Sequence, residues 1–146
     1  MKVVAQNRRA RFDYEILDTV EAGIILTGPE VKSCRMGHAD LSGAYVSFTN
    51  GKPMVKHMKI APYQYASPVA NAEPDRDRQL LLKKGEWERL AAAANEKGIS
   101  IIPLEVRAGK FIKLVLGAGR GRKRLDKRHR IREREIGRRL REGKDV

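Results

Sequence analysis

Residues 99–116 read ISIIPLEVRAGKFIKLVL. Two apolar runs rich in β-branched residues, Ile99 to Val106 and Phe111 to Leu116, flank Ala108-Gly109, and this pattern predicts a β-hairpin. Further upstream, Phe12 to Leu26 has the same composition with a break at Ala22-Gly23, which predicts two strands or one bent strand. The body of the chain is therefore expected to be mainly β.

A second hairpin is predicted in the middle of the chain. Ala44 to Phe48 alternates apolar and polar residues, and Asn50-Gly51 supplies a favoured two-residue turn. The return strand is expected to carry Met54, Met58 and Ile60 on one side, with Lys56 between them. Short strands at this spacing predict a closed or partly closed barrel, because a small open sheet leaves exposed edges.

Two helices fit within this plan. Pro29 in a first turn and Gly37 after the end predict a short helix over Glu30 to Met36. A longer helix is predicted from about Gly85 to Lys97, with Gly98 as its stop. Its apolar residues, which recur at helical spacing and are expected to pack in the core, are Trp87, Leu90, Ala91 and Ala94. For Trp87, stacking on a base is the alternative interpretation.

Charge is extreme and uneven. The 146 residues contain 31 Lys and Arg against 18 Asp and Glu, a formal net charge of +13. Residues 117–146 hold 13 of the basic and five of the acidic residues and so carry +8 of that charge. We expect a globular body over residues 1–116 and a basic C-terminal tail over residues 117–146. The tail is expected to be disordered alone and helical when bound to a polyanion, since Ile136 and Leu140 lie one turn apart.

Most other function classes are excluded by what the sequence contains. No apolar run approaches the roughly 18 residues that span a bilayer, and the N-terminus has no apolar stretch long enough for a signal peptide. Cys34 has no cysteine partner and is expected in the core, in a soluble, cytoplasmic protein. His38, His57 and His129 are scattered, and no catalytic, metal or cofactor motif is present.

A non-enzymatic, nucleic-acid-binding protein is therefore predicted, because each Lys or Arg against a phosphate releases counterions. A barrel with basic extensions favours irregular or single-stranded RNA.

Five segments, in order and correctly spaced, resemble one family. They are Asn7 to Ile16 (NRRARFDYEI), Glu21 to Arg35 (EAGIILTGPEVKSCR), Gly37 to Val46 (GHADLSGAYV), Arg76 to Leu82 (RDRQLLL) and Gly121 to Arg128 (GRKRLDKR). The chain is similar to the SsrA-binding protein (SmpB) family over nearly its whole length.

The resemblance implies a fold and a function. Family members have an oligonucleotide-binding (OB)-type antiparallel β-barrel with added short helices. They bind the tRNA-like domain of transfer-messenger RNA, stand in for its missing anticodon arm, and enter stalled ribosomes with elongation factor Tu in trans-translation. The tail then lies, as a helix, in the decoding centre and the empty mRNA channel. No cofactor, metal or membrane partner is implied, and we expect a monomer.

The resemblance also implies site residues. Those expected to contact RNA are Asn7, Arg8, Arg9, Arg11, Tyr14, Glu21, Lys32 and Leu81. Four have alternatives: Asn7 as a turn cap, Glu21 as a carboxylate that orients a neighbouring arginine, and Tyr14 and Leu81 as core residues. The tail residues expected to engage the ribosome are Arg122, Lys123, Leu125, Asp126, Lys127, Arg128, Ile136 and Leu140. Leu125 departs from the family pattern, in which an aromatic residue or histidine often precedes Asp-Lys-Arg.

Two other functions remain open at this point. A basic ribosomal protein or RNA chaperone would bind RNA broadly and would need no particular residue at Asn7, Glu21 or Asp126. An RNA-modifying enzyme would require clustered catalytic groups.

Overall fold

The structure, a computed structural model, describes residues 2–48, 51–63 and 73–122. Its strands are β1 (Lys2–Gln6), β2 (Tyr14–Ile24), β3 (Ala39–Asp40), β4 (Tyr45–Ser47), β5 (Met54–Lys56), β6 (Lys59–Ile60), β7 (Arg78–Leu81), β8 (Ile99–Ala108) and β9 (Ile112–Gly121). Its helices are α1 (Ala10–Asp13), α2 (Gly28–Arg35) and α3 (Lys84–Ala94). The mainly β prediction with a few short helices is confirmed.

Seven strands form one antiparallel sheet in the order β1-β8-β9-β2-β7-β5-β4, and β3 pairs with β6 separately. The sheet curves until its edge strand β4 packs against β8. The predicted hairpin at residues 99–116 is β8 and β9. The segment predicted as two strands or one bent strand is the single strand β2, whose register shifts between Ile16 and Asp18 and not at the expected break, Ala22-Gly23. The barrel prediction agrees with this curvature.

Strand β9 continues five residues past the expected division at 116/117. It pairs with β2 on one side and β8 on the other as far as Gly121. A Cβ on Gly117 would lie 2.8 Å from Cδ1 of Leu104, and one on Gly119 would lie 2.9 Å from Cβ of Tyr14. Gly117 and Gly119, which fall in the segment expected to be the tail, are therefore part of the sheet, where their lack of a side chain makes room for neighbouring residues.

The return strand of the second predicted hairpin, in the middle of the chain, also differs from the prediction. It divides at His57, whose φ of +62° is unusual for a residue other than glycine, into β5 and β6. Val55 is fully buried, whereas Met54 is only half-buried, because the turn at His57 changes the alternation before Met58. Asn50 lies outside the described residues.

Both predicted helices are present. Helix α2 has Thr27 as its N-cap: the backbone N–H of Glu30 donates to the Thr27 hydroxyl, and the Thr27 N–H donates to the Glu30 carboxylate. Helix α3 turns Leu90 fully into the core. Trp87 is half-buried and meets Phe48 edge to face, with ring centroids 6.0 Å apart, which favours the core interpretation.

The two faces of the sheet carry separate apolar clusters. The main cluster lies inside the curve and includes Leu80, Leu90, Val106, Leu114 and Leu116. The smaller cluster lies on the opposite face, under α1, and consists of Ala10, Ile102, Leu104 and Val115 with Tyr14 and Ile16 against it. Helix α1, which the sequence did not predict, therefore covers one part of the second face and leaves the rest exposed.

A buried arginine fixes α2 to the strands. The side chain of Arg78 is fully buried, and its Nε donates to Oε2 of Glu30 at 2.8 Å, while its Nη2 lies 2.7 Å from the same oxygen. Its guanidinium also donates to the carbonyls of Met58, Arg76 and Pro74. Arg76 donates to the same carboxylate. Burial raises the pKa of Glu30, but the hydrogen bonds from Arg76, the Thr27 backbone and Arg78 outweigh it and lower the pKa to about 2.

In the part of the chain that the structure describes, no helix has the length and hydropathy needed to cross a membrane.

Candidate nucleic-acid interface

The exposed part of the second face carries polar side chains in two adjacent rows. We call the face of β2, β7, β8 and β9 that points away from the main cluster the outer face. Strand register places Arg107, Lys113, Gly23 and Leu81 side by side across β8, β9, β2 and β7. This is the first row of the outer face.

The second row runs parallel to the first. Register aligns Glu105 on β8, Val115 on β9 and Glu21 on β2. Side chains two residues apart on a strand share a face, so Glu21 lies beside Gly23 and Glu105 lies beside Arg107. Glu21 is exposed on β2.

Arg107 links the two acidic residues of the second row. Its Nη2 lies 2.7 Å and its Nε 3.2 Å from Oε1 of Glu105, and its Nη1 lies 3.4 Å from Oε2 of Glu21. The hydrogen bond and charge of Glu105 raise the pKa of the Arg107 guanidinium, and Glu21 adds to this. Glu21 therefore does have a neighbouring arginine, and that arginine is Arg107.

Leu81 lies on the outer face and not in the core. Its side chain is 55% exposed, whereas that of Leu80 is 1% exposed and packs in the main cluster. A Cβ on Gly23 would lie 3.3 Å from the Cβ of Leu81, so Leu81 leans over a strand position that has no side chain of its own. The result is a small apolar surface directly beside Glu21.

Asn7 serves the fold where β1 ends. Its side-chain amide nitrogen donates to the carbonyl of Pro103 at 3.0 Å and that of Leu41 at 3.4 Å, while its backbone N–H donates to Leu104 at 2.7 Å. Asn7 is half-buried. These bonds attach the beginning of the basic turn at residues 8–11 to β8.

The basic turn itself is exposed. Arg8, Arg9 and Arg11 are all exposed. Arg9 lies over the ring of Phe12, 4.6 Å from its centroid, and its Nη2 lies 3.5 Å from Asp13. The turn leads into α1, whose buried Ala10 packs on the outer face. Three guanidinium groups are therefore presented beside that face.

The remaining predicted contacts lie elsewhere or are partly buried. Tyr14 is half-buried against the smaller cluster, which favours its core interpretation. Lys32 lies on α2, with its Nζ 5.4 Å from the ring centroid of Tyr63, and not in either row. Arg122 is half-buried, and its backbone N–H donates to the carbonyl of Asp13 at 2.9 Å. The other tail residues, which lie outside the described residues, are Lys123, Leu125, Asp126, Lys127, Arg128, Ile136 and Leu140.

Sequence reasoning missed Arg107, Glu105 and Lys113. A signal for them was present, since Glu105 and Arg107 are alternate polar residues in a strand whose other positions are mostly apolar. Phe111, at the turn between β8 and β9, was also missed as an exposed group: its side chain is 62% exposed.

Groups typical of catalytic or metal sites do not converge here. Over residues 2–48, 51–63 and 73–122, no three His, Cys, Asp or Glu side chains are placed to share a metal ion. Cys34 is buried as expected, and burial raises the pKa of its thiol to about 11. A neutral, buried thiol is a poor nucleophile.

Comparison with known proteins identifies the family. A family model described as SmpB protein matches residues 4–144. The chain is similar to the SsrA-binding protein of Coprothermobacter proteolyticus, with 46% identity over 99% of this chain and 98% of that protein. It is 42% identical to the SsrA-binding protein of Thermus thermophilus, over 97% of this chain and 99% of that protein. A solved structure described as "tmRNA-SmpB: a journey to the center of the bacterial ribosome" contains a chain that is 42% identical, with a TM-score of 0.70, over 87% of this chain and 93% of that one. This chain therefore belongs to the SmpB protein family.

Proposed function

We propose that this chain binds transfer-messenger RNA through its tRNA-like domain and acts with it on stalled ribosomes in trans-translation. The observation that carries the proposal is the outer face, where Glu21 and the exposed Leu81 lie in adjacent rows beside the basic turn at residues 8–11. Family membership supports the choice of RNA, because the relatives are named SsrA-binding proteins. The role is binding, not catalysis.

Charge and specificity come from different parts of this surface. The arginines of the basic turn bind phosphates with little dependence on sequence and with strong dependence on salt. Glu21 is repelled by phosphates, so its presence in an RNA-binding face is useful only where it accepts a hydrogen bond from a base or a 2′-OH. The outer face therefore supplies the discrimination, and the basic turn supplies much of the affinity.

The finer functional proposal concerns the ribosome. The body replaces the anticodon arm, and the residues that follow β9, 123–146, enter the decoding centre and the empty mRNA channel; they hold 11 basic and five acidic residues and so carry +6 of charge toward ribosomal RNA. The protein acts as a monomer in the cytoplasm and enters the ribosome together with elongation factor Tu. The stalled product is then tagged for degradation.

Competition binding at physiological salt tests the RNA assignment. Labelled tRNA-like domain is challenged with excess elongator tRNA, using the wild-type chain, Glu21→Ala and, as a control, Asp18→Ala. Asp18 is a matched control because it lies on the same strand, has the same 42% side-chain exposure and also pairs with an arginine, Arg89. We expect elongator tRNA to compete poorly, Glu21→Ala to weaken binding by about tenfold, and Asp18→Ala to have little effect.

The result that contradicts this assignment is equal competition by both RNAs, with no effect of Glu21→Ala. Binding would then depend on charge alone, and the ribosomal-protein or RNA-chaperone function would replace the proposed one.

A second experiment separates the tail from the body. Asp126→Ala combined with Lys127→Ala should leave affinity for the tRNA-like domain nearly unchanged and abolish tagging in a reconstituted translation reaction. Loss of RNA affinity in this double variant would show that the roles of the body and the tail are assigned wrongly.

A further inference from the structure

Three charged residues of the outer face, Glu105, Arg107 and Glu21, contact one another in that order. Glu105 binds Arg107 through two nitrogens, at 2.7 and 3.2 Å, and only Nη1 of Arg107 approaches Glu21, at 3.4 Å. The two short contacts determine where the guanidinium lies. The longer contact lets that guanidinium orient Glu21 without occupying both of its oxygens.

The reach of Arg107 across the sheet makes this arrangement specific. Arg107 is on β8 and Glu21 on β2, with β9 between them, so their backbones are two strand spacings, about 10 Å, apart. Arg107 crosses β9 between Lys113 and Val115 to reach Glu21. A lysine carries one ammonium and cannot bind two separated carboxylates with the fixed fork of an arginine.

The charge of the group selects the kind of RNA atom that it can bind. Glu105, Glu21 and Arg107 together carry one net negative charge, and Lys113, beside Arg107 in the first row, brings the local balance to zero, so this surface offers a phosphate no net attraction. The same carboxylates accept hydrogen bonds from the amino and imino groups of nucleobases. Leu81, in the neighbouring row over Gly23, offers an apolar surface for the face of the same base.

We propose that Arg107 is a positioning residue for RNA recognition: held by Glu105, it orients the Glu21 carboxylate toward the hydrogen-bond-donor edge of an unpaired base. The inference deepens the proposed function and rests on it. It predicts that Arg107 acts through Glu21 and makes no phosphate contact of its own.

The experiment measures the affinity of the full chain for the labelled tRNA-like domain. The variants are Arg107→Ala, Arg107→Lys and Glu105→Gln, with Arg89→Ala as the matched control. Arg89 is exposed, pairs with Asp18 on β2 at 2.8 Å, and lies on α3, outside both rows. We expect about a tenfold loss for Arg107→Ala, most of that loss for Arg107→Lys, a smaller loss for Glu105→Gln, and little change for Arg89→Ala. Thermal melts should be similar for all four, since these ion pairs are exposed.

Two further readouts distinguish positioning from simple charge. In the Glu21→Ala background, Arg107→Ala should cause no additional loss, because its effect passes through the missing carboxylate. The slope of log affinity against log salt concentration should also stay unchanged, whereas loss of a phosphate contact lowers its magnitude by about 0.7 to 0.9.

Each outcome decides between the two proposals. If Arg107→Ala weakens binding equally with and without Glu21 and lowers the salt slope, Arg107 binds phosphate and the positioning role is refuted. If Glu21→Ala weakens binding and Arg107→Ala does not, the positioning role fails while the proposed function stands. If neither variant changes binding and elongator tRNA competes fully, the proposed function itself fails.

Discussion

Replacing Arg78 with methionine removes the centre of the buried network that joins α2 to the strands. Methionine has a similar length and keeps much of the packing, but it offers no hydrogen-bond donor. The substitution leaves the carbonyls of Met58, Arg76 and Pro74 without the guanidinium and takes away one of the two arginines that bind Glu30.

The size of the effect follows from burial. The Arg78 side chain is 0% exposed and that of Glu30 is 13% exposed, so water cannot replace the lost bonds easily. Removing one partner of such a buried pair costs about 3–5 kcal/mol in free energy of unfolding. For a chain of this length that corresponds to a fall in Tm of about 10–15 °C.

Urea denaturation followed by circular dichroism, together with thermal melts, measures this loss. The matched control is Arg76→Met, which removes the second arginine from the same carboxylate but at a side chain that is 32% exposed. For that variant we expect a loss of about 1 kcal/mol or less. A loss for Arg78→Met no larger than that for Arg76→Met would refute the argument that burial makes Arg78 the more important of the two.

Four other substitutions test three separate features. Because the pKa of Glu30 is lowered to about 2, its carboxylate adds on the order of 3 kcal/mol to the free energy of unfolding above pH 4.5, and this stability is lost as the pH falls toward 2. The urea midpoint of Glu30→Gln should therefore change less between pH 5 and pH 2 than that of the wild-type chain. Gly117→Val should cost about 1–3 kcal/mol in the same assay, because its side chain meets Leu104; an unchanged midpoint would show that Leu104 moves aside freely. Leu80→Ala should cost about 2–5 kcal/mol in free energy of unfolding, whereas Leu81→Ala should change it by no more than about 0.5 kcal/mol and should weaken RNA binding. A larger loss of stability for Leu81→Ala than for Leu80→Ala would show that Leu81, and not Leu80, is the core residue.

The strands of the large hairpin were predictable because their β-branched runs are long enough to outweigh the one proline. The end of β9 was not predictable, because glycine has a low strand propensity and Gly117 and Gly119 fall in the segment that was expected to be the tail. Their place in the sheet depends on Leu104 and Tyr14, which are distant in sequence. Propensity describes a residue by itself, and these glycines are required by their neighbours.

The candidate site also has one part that was predictable from the sequence and one part that was not. The exposure of Glu21 on a strand followed from the sequence, and the resemblance pointed to it as an RNA contact. Its partner Arg107 is 86 residues away, and their contact depends on the register of two strand pairs across β9. A one-residue change in either register would place Arg107 on the other face. A single sequence does not determine that register.

The position of β9 has a mechanical consequence. It is bonded to β2 on one side and β8 on the other, and the chain reaches residue 123 directly from its end, where the Arg122 N–H is bonded to Asp13. A force applied along β9 through the following residues therefore loads two hydrogen-bond ladders together, in shear. An edge strand such as β4, which is paired on one side only, can be peeled away one bond at a time. Any load on the residues that follow Arg122 is thus transmitted to the middle of the sheet, where Lys113 and Val115 lie beneath the Arg107–Glu21 contact.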